Sequence, residues 1–167
     1  MGIVSATYFK VPIDIDYSKA TTVEKIGYYS DYCEDIYLKM LLGNIEYYKY
    51  VADKALTENH DSKYVALLAS STFVYSGITY KNDILQMLAY FMYPEIVSDS
   101  QGFNTSLGEM SANVDNSKSV IPMNKIIRSY NLGVELYNCA TLYLLEHVTD
   151  FPDYQTVSLE TINSFGI

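Results

Sequence analysis

Tryptophan is absent from this chain of 167 residues, and cysteine and histidine occur only twice each. These scarce residues are Cys33, Cys139, His60 and His147. So small a supply of nitrogen and sulfur ligands gives little support to a zinc or haem site, and we predict no metal and no cofactor. The two cysteines lie on separate predicted helices, and we expect buried reduced thiols of an intracellular protein rather than a disulfide.

Basic residues are also scarce, with 11 lysines and arginines against 20 acidic residues and a formal charge of −9. This balance argues against sequence-specific nucleic acid binding, which relies on cations that neutralise phosphates. An acidic wall around a DNA passage remains compatible with this charge, because repulsion keeps the DNA from binding to the wall. No apolar run approaches the ~18 residues that a membrane span needs, and no signal peptide pattern is present. We expect a protein made in a cytoplasm, without a membrane partner.

Sequence motifs of known catalytic chemistry are missing as well. A di-iron bundle needs Glu-x-x-His on two helices, but Glu146 and His147 are adjacent. No nucleophile elbow, phosphate-binding glycine loop or calcium-loop spacing occurs. Acidic residues such as Asp31, Glu46 and Asp53 are expected to be solvated charges. We therefore predict that the chain is not an enzyme, with an enzyme lacking any recognisable motif as the third alternative.

Tyrosine is the residue in excess, with 18 copies. Its ring is apolar and its hydroxyl needs a partner or water, so tyrosine suits surfaces that are only partly buried, including subunit interfaces. The excess is explained equally well by a core whose edges contact water, in a protein from an AT-rich genome where tyrosine codons are frequent.

The chain is organised around a long predicted helix from Thr21 to Leu56. Its start, Thr21-Thr22-Val23-Glu24, matches a capping box. Apolar residues then recur three and four positions apart, which places them on one side of a helix. They are Ile26, Tyr29, Cys33, Ile36 and Met40, with Tyr37, Leu41, Ile45, Tyr48 and Ala52 as a second row. Such a helix would span about 52 Å, so we expect it to break near Gly43 or to protrude.

Three further helices are predicted. A helix with interleaved small residues covers Tyr64 to Tyr80 as the most buried element, with a strand at Phe73-Val74-Tyr75 as the alternative. The third runs from Ile84 to Tyr93 and ends or kinks at Pro94. The last runs from Met123 to about Thr149. Both long helices carry two apolar rows, so a single partner helix does not cover either of them.

The predicted fold is all-α, a bundle of about four helices, two of them long. Residues 1–20 form an extended N-terminal arm, residues 21–150 the helical domain and residues 151–167 a C-terminal tail. Residues 98–121 form the longest structureless segment, and we expect a binding loop there. An apolar arm needs a surface to lie on, and its own domain and a neighbouring chain are equal candidates.

The doubly apolar helices, the apolar arms and the tyrosine excess predict a structural assembly protein. We expect a subunit of a symmetric oligomeric ring or shell in a virus particle, whose partners are copies of itself and other virion proteins. In size and helical character the chain resembles bacteriophage head–tail connector and portal-associated subunits, which implies a virion protein made in the host cytoplasm. The alternative is a soluble viral binding module, Bcl-2-like, that holds a partner helix in an apolar groove.

The candidate interface residues are large apolar or aromatic side chains on the arms, the first helix and the predicted loop. They are Tyr8, Phe9, Ile13, Ile15, Tyr17, Tyr37, Tyr48, Phe103, Leu107, Leu159, Ile162 and Phe165. The assembly hypothesis predicts that residues 1–17 and 155–167 contact other chains. If these segments instead bury their apolar side chains on their own helices, that support disappears.

Overall fold

A computed structural model of the chain describes residues 2–9, 13, 20–105, 108–111, 123–155 and 157–162. The structure is mostly helical, at 66%, so the predicted helical character is confirmed. Two antiparallel hairpins also occur among the described residues, and a purely all-α fold is therefore wrong.

Among the described residues, four helices have 14 residues or more and one is short. The helices are α1 (Ala20–Cys33), α2 (Lys39–Lys54), α3 (Ser62–Leu68), α4 (Ile84–Gln101) and α5 (Met123–Glu146), with a π-helical turn at Glu34–Leu38 and a 3-10 turn at Ala6–Tyr8. The strands are β1 (Ser71–Tyr75), β2 (Ile78–Asn82), β3 (Gly102–Thr105) and β4 (Gly108–Ser111).

Helix α4 lies at the centre of the molecule and packs against α5, α1 and α3. Its side chains at Met87, Leu88 and Met92 are fully buried. On α5, a Cβ added at Gly133 would lie 2.8 Å from the Phe91 ring, so the glycine lets the two helices approach closely. The most buried helix is therefore α4, and not the segment from Tyr64 to Tyr80 that its small residues indicated.

The predicted break near Gly43 is confirmed. Gly43 has φ +73° and ψ 164°, a backbone conformation that essentially only glycine adopts. Upstream of it, α1 continues through the π-helical turn into α2, which the sequence did not predict. Helix α1 begins at Ala20, while the side chains of the predicted capping threonines lie outside the described part of the chain.

The predicted helix from Tyr64 to Tyr80 is wrong beyond α3, and the strand alternative is confirmed. β1 pairs with β2 in an antiparallel hairpin. Ser76 and Gly77, between the strands, both have positive φ, as the tight turns that suit twisted strands require. The Asn82 amide donates to the Leu67 carbonyl at 2.7 Å, which ties the hairpin to the end of α3.

Pro94 does not end its helix, because α4 continues to Gln101. Proline has no N–H, so it cannot pair with the carbonyl of residue 90, four positions earlier. The hydroxyl of Ser129, on α5, donates to the Tyr90 carbonyl at 2.6 Å. A donor from the neighbouring helix thus replaces the missing backbone bond.

The predicted loop at 98–121 is wrong for the part that the structure describes. Residues 98–101 belong to α4, and β3 pairs with β4 in a second antiparallel hairpin. Residues 106–107 and 112–121 lie outside the described residues. After α5, which ends at Glu146, turns place Phe151 in the core.

The described part of the N-terminal arm folds back onto its own domain. Val4, Phe9 and Ile13 are buried in the core of this chain, and the Gln86 amide on α4 donates to the Tyr8 carbonyl at 3.2 Å. Residues 157–162 of the C-terminal tail lie along α5, held by hydrogen bonds from its side chains. The described parts of both arms therefore contact their own helices. The N-terminal part also buries its apolar side chains there, so the support that it would have given to assembly disappears.

Candidate interaction surfaces

The predicted interface residues fall into three groups. Phe9 and Ile13, predicted to contact a second chain, are instead buried in the core of this chain. Tyr8, Tyr37 and Leu159 are partly buried against the core, while Tyr48 and Ile162 are 61% and 45% exposed. Ile15, Tyr17, Leu107 and Phe165 lie outside the described residues. The backbone of Phe103 is described, but its side chain is not.

Large side chains with a high exposed fraction recur along α1 and α2. We name Tyr28, Tyr32, Met40, Ile45 and Tyr48 the tyrosine face. Tyr28 and Tyr32 lie one turn apart on α1, and Met40, Ile45 and Tyr48 are exposed on α2, the next helix of the rod that α1, the π-helical turn and α2 form. The exposed fraction is 67% for Tyr28 and 62% for Ile45. Single exposed apolar residues are ordinary, but several large ones on two consecutive helices are a candidate interaction surface.

Two tyrosine rings of this surface, Tyr28 and Tyr32, pack against the partly buried ring of Tyr29. The rings of Tyr28 and Tyr29 meet edge to face with centroids 5.1 Å apart, and those of Tyr29 and Tyr32 do so at 6.3 Å. At the other end of the surface, the Lys39 ammonium lies 5.3 Å from the centre of the Tyr48 ring. These contacts reduce the freedom of the exposed rings before any partner arrives, which lowers the entropy cost of binding.

A buried carboxylate lies on the same rod, where the π-helical turn begins. Glu34 is buried, and its Oε1 accepts from the Ile3 N–H at 3.0 Å and from the Ser30 hydroxyl at 3.1 Å. Its Oε2 accepts from Lys54 at 2.6 Å and from the Tyr50 hydroxyl at 3.3 Å. Four donors thus compensate the burial of this charge, and they fasten the N-terminal arm to α1 and α2.

A second buried carboxylate, Glu46, joins α2 to α3. It accepts hydrogen bonds from Lys63, from the Tyr64 hydroxyl at 2.6 Å and from Lys49 at 3.2 Å. Burial alone would raise the pKa of Glu46, but the hydrogen bonds from Lys63, Tyr64 and Lys49 outweigh it and hold the pKa below its ordinary value. The Glu46 carboxylate is therefore a structural anion.

Beside Glu34 opens a cleft of about 960 Å³. We name it the acidic cleft, because its lining includes Asp31, Glu34, Asp35 and Asp53 against one cation, Lys54. Tyr47, Tyr50, Val51, Tyr64 and Val65 supply the apolar part of its walls. The Tyr47 hydroxyl donates to Asp35 at 2.9 Å. A cleft of this character suits a cationic segment with an apolar side.

The cysteine nearest to these surfaces carries no reactive thiolate. Cys33 is fully buried, and burial, with Glu95 and Glu34 nearby, raises its pKa to about 12. Burial also raises the pKa of the half-buried Cys139. Both cysteines are unbridged, which confirms that they are free thiols. A buried thiol with a raised pKa is a poor nucleophile at neutral pH.

The burial of Glu34 and Glu46 was not predicted from the sequence. Glu46 and Asp53 were expected to be solvated, but Glu46 is buried and Asp53 accepts from the Asp61 N–H at 2.7 Å. Only the exposed Asp31 fits that expectation. One available signal was the row Ile26, Ser30, Glu34 and Leu38, four positions apart, which places two polar residues between two buried apolar ones.

Within the described residues, no three side chains of the types that ligate metals form a group, and no helix is both long and apolar enough to cross a membrane. Comparison of the chain with protein-family models, curated proteins and solved structures gives no match. The function is therefore argued from the surfaces above.

Proposed function

We propose that this chain is a structural assembly protein, a subunit of a symmetric oligomeric ring or shell in a virus particle, of the kind found at bacteriophage head–tail connections. The observation that carries the proposal is the tyrosine face. Tyrosine and methionine are enriched in the cores of protein interfaces, where they bury a large area at a low cost in conformational entropy. Copies of the chain and other virion proteins are the proposed partners.

The tyrosine face takes over the role that the sequence analysis gave to the N-terminal arm. It lies on a rod that is fixed from inside by Glu34 and Glu46, whose bonds reach Lys54 and Lys63. A rigid, exposed surface on a fixed element gives a defined angle between neighbours, and a defined angle is what closes a ring. The proposed mode of action is non-catalytic contact between helices.

The test removes rings from the tyrosine face without touching the core. Tyr28→Ser with Tyr48→Ser should raise the dissociation constant for self-association by about tenfold or more, because exposed interface tyrosines are frequent hot spots. Sedimentation velocity over a concentration series measures it. The matched control is Val74→Ser on β1, since Val74 is 56% exposed and lies outside the tyrosine face.

The outcome of this comparison is decisive for the surface. If both variants associate like the unmodified chain, the tyrosine face is not the interface. If Val74→Ser weakens association as strongly as the tyrosine variant, then any apolar-to-polar exchange on the surface has this effect, and the loss is not specific to the tyrosine face. Circular dichroism should show unchanged helix content, because Tyr28 and Tyr48 are exposed.

The second candidate function is a binding module for a partner segment, the alternative raised by the sequence. The acidic cleft favours it, although its walls are more acidic than an apolar groove for a helix would be. Four carboxylates against one lysine favour a partner that carries lysine or arginine beside apolar side chains.

A synthetic amphipathic helix with a lysine-rich side tests this second function by calorimetric titration. Asp31→Lys should weaken its binding several-fold, because it reverses one charge of the cleft at a residue whose side chain is 55% exposed. Asp153→Lys, at a residue outside the cleft with a side chain 53% exposed, is the matched control. Equal losses in the two variants would show non-specific attraction to an acidic protein.

A further inference from the structure

Two asparagines on α5 pair with the backbone of the C-terminal tail in the same manner. The Asn131 amide donates to the Ile162 carbonyl at 2.7 Å and accepts from the Ile162 N–H at 2.8 Å. The Asn138 amide donates to the Leu159 carbonyl at 3.2 Å and accepts from the Leu159 N–H at 3.3 Å. Each side-chain amide therefore satisfies both backbone groups of one tail residue.

A third contact continues the row. The Thr141 hydroxyl lies 3.4 Å from the Val157 carbonyl and 3.1 Å from the Tyr137 carbonyl of its own helix. We name Asn131, Asn138 and Thr141 the asparagine ladder. The two amides are seven positions apart, two helical turns, so they lie on one side of α5. They contact tail residues three positions apart. The spacings match because an extended chain rises about 3.3 Å per residue and a helix about 1.5 Å.

The ladder recognises main-chain groups rather than particular side chains. Val157 is 38% and Ile162 45% exposed, and only Leu159 is packed in part against the core. The segment thus buries little apolar surface, and hydrogen bonds near water contribute little net stability. Phe151, which is buried, anchors the chain just before this segment. Residues 157–162 should therefore open far more readily than the helices do.

We infer that the asparagine ladder is an exchange site, at which residues 157–162 of one copy bind α5 of a neighbouring copy. This inference rests on the proposed assembly function. The tail of a second copy presents the same N–H and carbonyl groups at Leu159 and Ile162, so exchange preserves every contact seen within one chain. In an assembly, tails of neighbours are present at a high effective concentration and compete with the chain's own tail.

Exchange also gives a role to apolar side chains that are exposed when the tail binds its own α5. Val157 and Ile162 gain a second surface when two copies lie side by side at the ladder. The exchanged tail would then link neighbours without a further interface, and it would act beside the tyrosine face.

A mixed-isotope crosslinking experiment on the full chain tests the inference. A photo-reactive phenylalanine derivative replaces Thr161, which is exposed and lies between the two contacted residues of the tail. Equal amounts of ¹⁵N-labelled and unlabelled chain are mixed, allowed to associate and irradiated. Mass spectrometry then identifies crosslinks between the tail and α5, and we expect pairs that join one heavy and one light peptide.

The ladder itself is tested with Asn131→Ala combined with Asn138→Ala, which should lower the tail-to-α5 crosslinks several-fold. Asn44→Ala, at an exposed asparagine of α2, is the matched control. An oligomer whose crosslinks join only peptides of the same isotope overturns exchange and leaves assembly standing. A chain that stays monomeric at every concentration overturns both.

Discussion

At the scale of single residues, backbone conformation and buried charge decide the structure more than side-chain volume does. Gly43 interrupts the first helical rod through its dihedral angles alone, since an added Cβ would meet nothing within 4 Å. Glu34 and Glu46 hold the same rod in place from the inside. These residues fix the shape of the element that carries the tyrosine face.

Gly43→Ala should destabilise the protein by about 1–3 kcal/mol, because alanine at positive φ with extended ψ is strained. Gly27→Ala, in α1 and also with open space around it, is the matched control and should raise stability by about 0.5–1 kcal/mol, since alanine favours helix. Urea unfolding measures both. Equal stabilisation by the two substitutions would mean that the rod is a continuous helix at Gly43.

Glu46→Gln should destabilise the protein by about 1–3 kcal/mol near neutral pH, as expected for hydrogen bonds to a buried charged group. The pKa of Glu46 is lower in the folded protein than its ordinary value of 4.5. Its contribution is therefore fully present above pH 4.5 and disappears as the pH falls through the folded pKa.

Urea unfolding of both proteins between pH 7 and pH 3 checks this dependence. The difference in free energy of unfolding between wild type and Glu46→Gln should shrink on the acid side. A difference that stays constant with pH would contradict the account. Glu58→Gln, at an exposed residue between α2 and α3, is the control and should leave stability at neutral pH nearly unchanged.

At the scale of elements, periodic patterns in the sequence were sufficient for the long helices but not for the hairpins. α5 and the rod broken at Gly43 follow from the spacing of apolar residues and from one glycine. The hairpin of β1 and β2 was left as an alternative, because the small residues between Tyr64 and Ser71 also suit a helix. Its turn depends on positive φ at Ser76 as well as Gly77, and serine carries no strong signal for that conformation.

The contacts that fix the surfaces were beyond prediction because their partners are distant in sequence. Lys54 reaches Glu34 across 20 residues, and Lys63 reaches Glu46 across 17. Ser129 reaches Tyr90 across 39 residues. No local spacing indicates such pairs, and their geometry depends on how the helices pack.

The bond between Ser129 and Tyr90 explains how α4 tolerates Pro94. Ser129→Ala should cost about 1–3 kcal/mol of stability, because it leaves the partly buried Tyr90 carbonyl without this donor. In a Pro94→Ala background the cost should be smaller, since the alanine N–H supplies the missing helical bond. A double-mutant cycle measured by urea unfolding checks this coupling. An equal cost of Ser129→Ala in both backgrounds would contradict it.

At the scale of the whole molecule, the structure presents three surfaces around one core. The tyrosine face lies on the outside of the first rod, the acidic cleft lies between α2 and α3, and the asparagine ladder runs along α5. The N-terminal arm, which the sequence put forward for contact with neighbours, is part of the core through Val4, Phe9 and Ile13. The proposed assembly therefore relies on helix surfaces rather than on that arm.

The molar mass of the purified chain, measured by light scattering over a concentration series, tests the assembly function most directly. We predict a defined oligomer, or a molar mass that grows with concentration, and a shift toward the monomer in the Tyr28→Ser and Tyr48→Ser double variant. A constant mass of 19.0 kDa at every concentration, unchanged by the two substitutions, would contradict the proposal that this chain assembles with copies of itself.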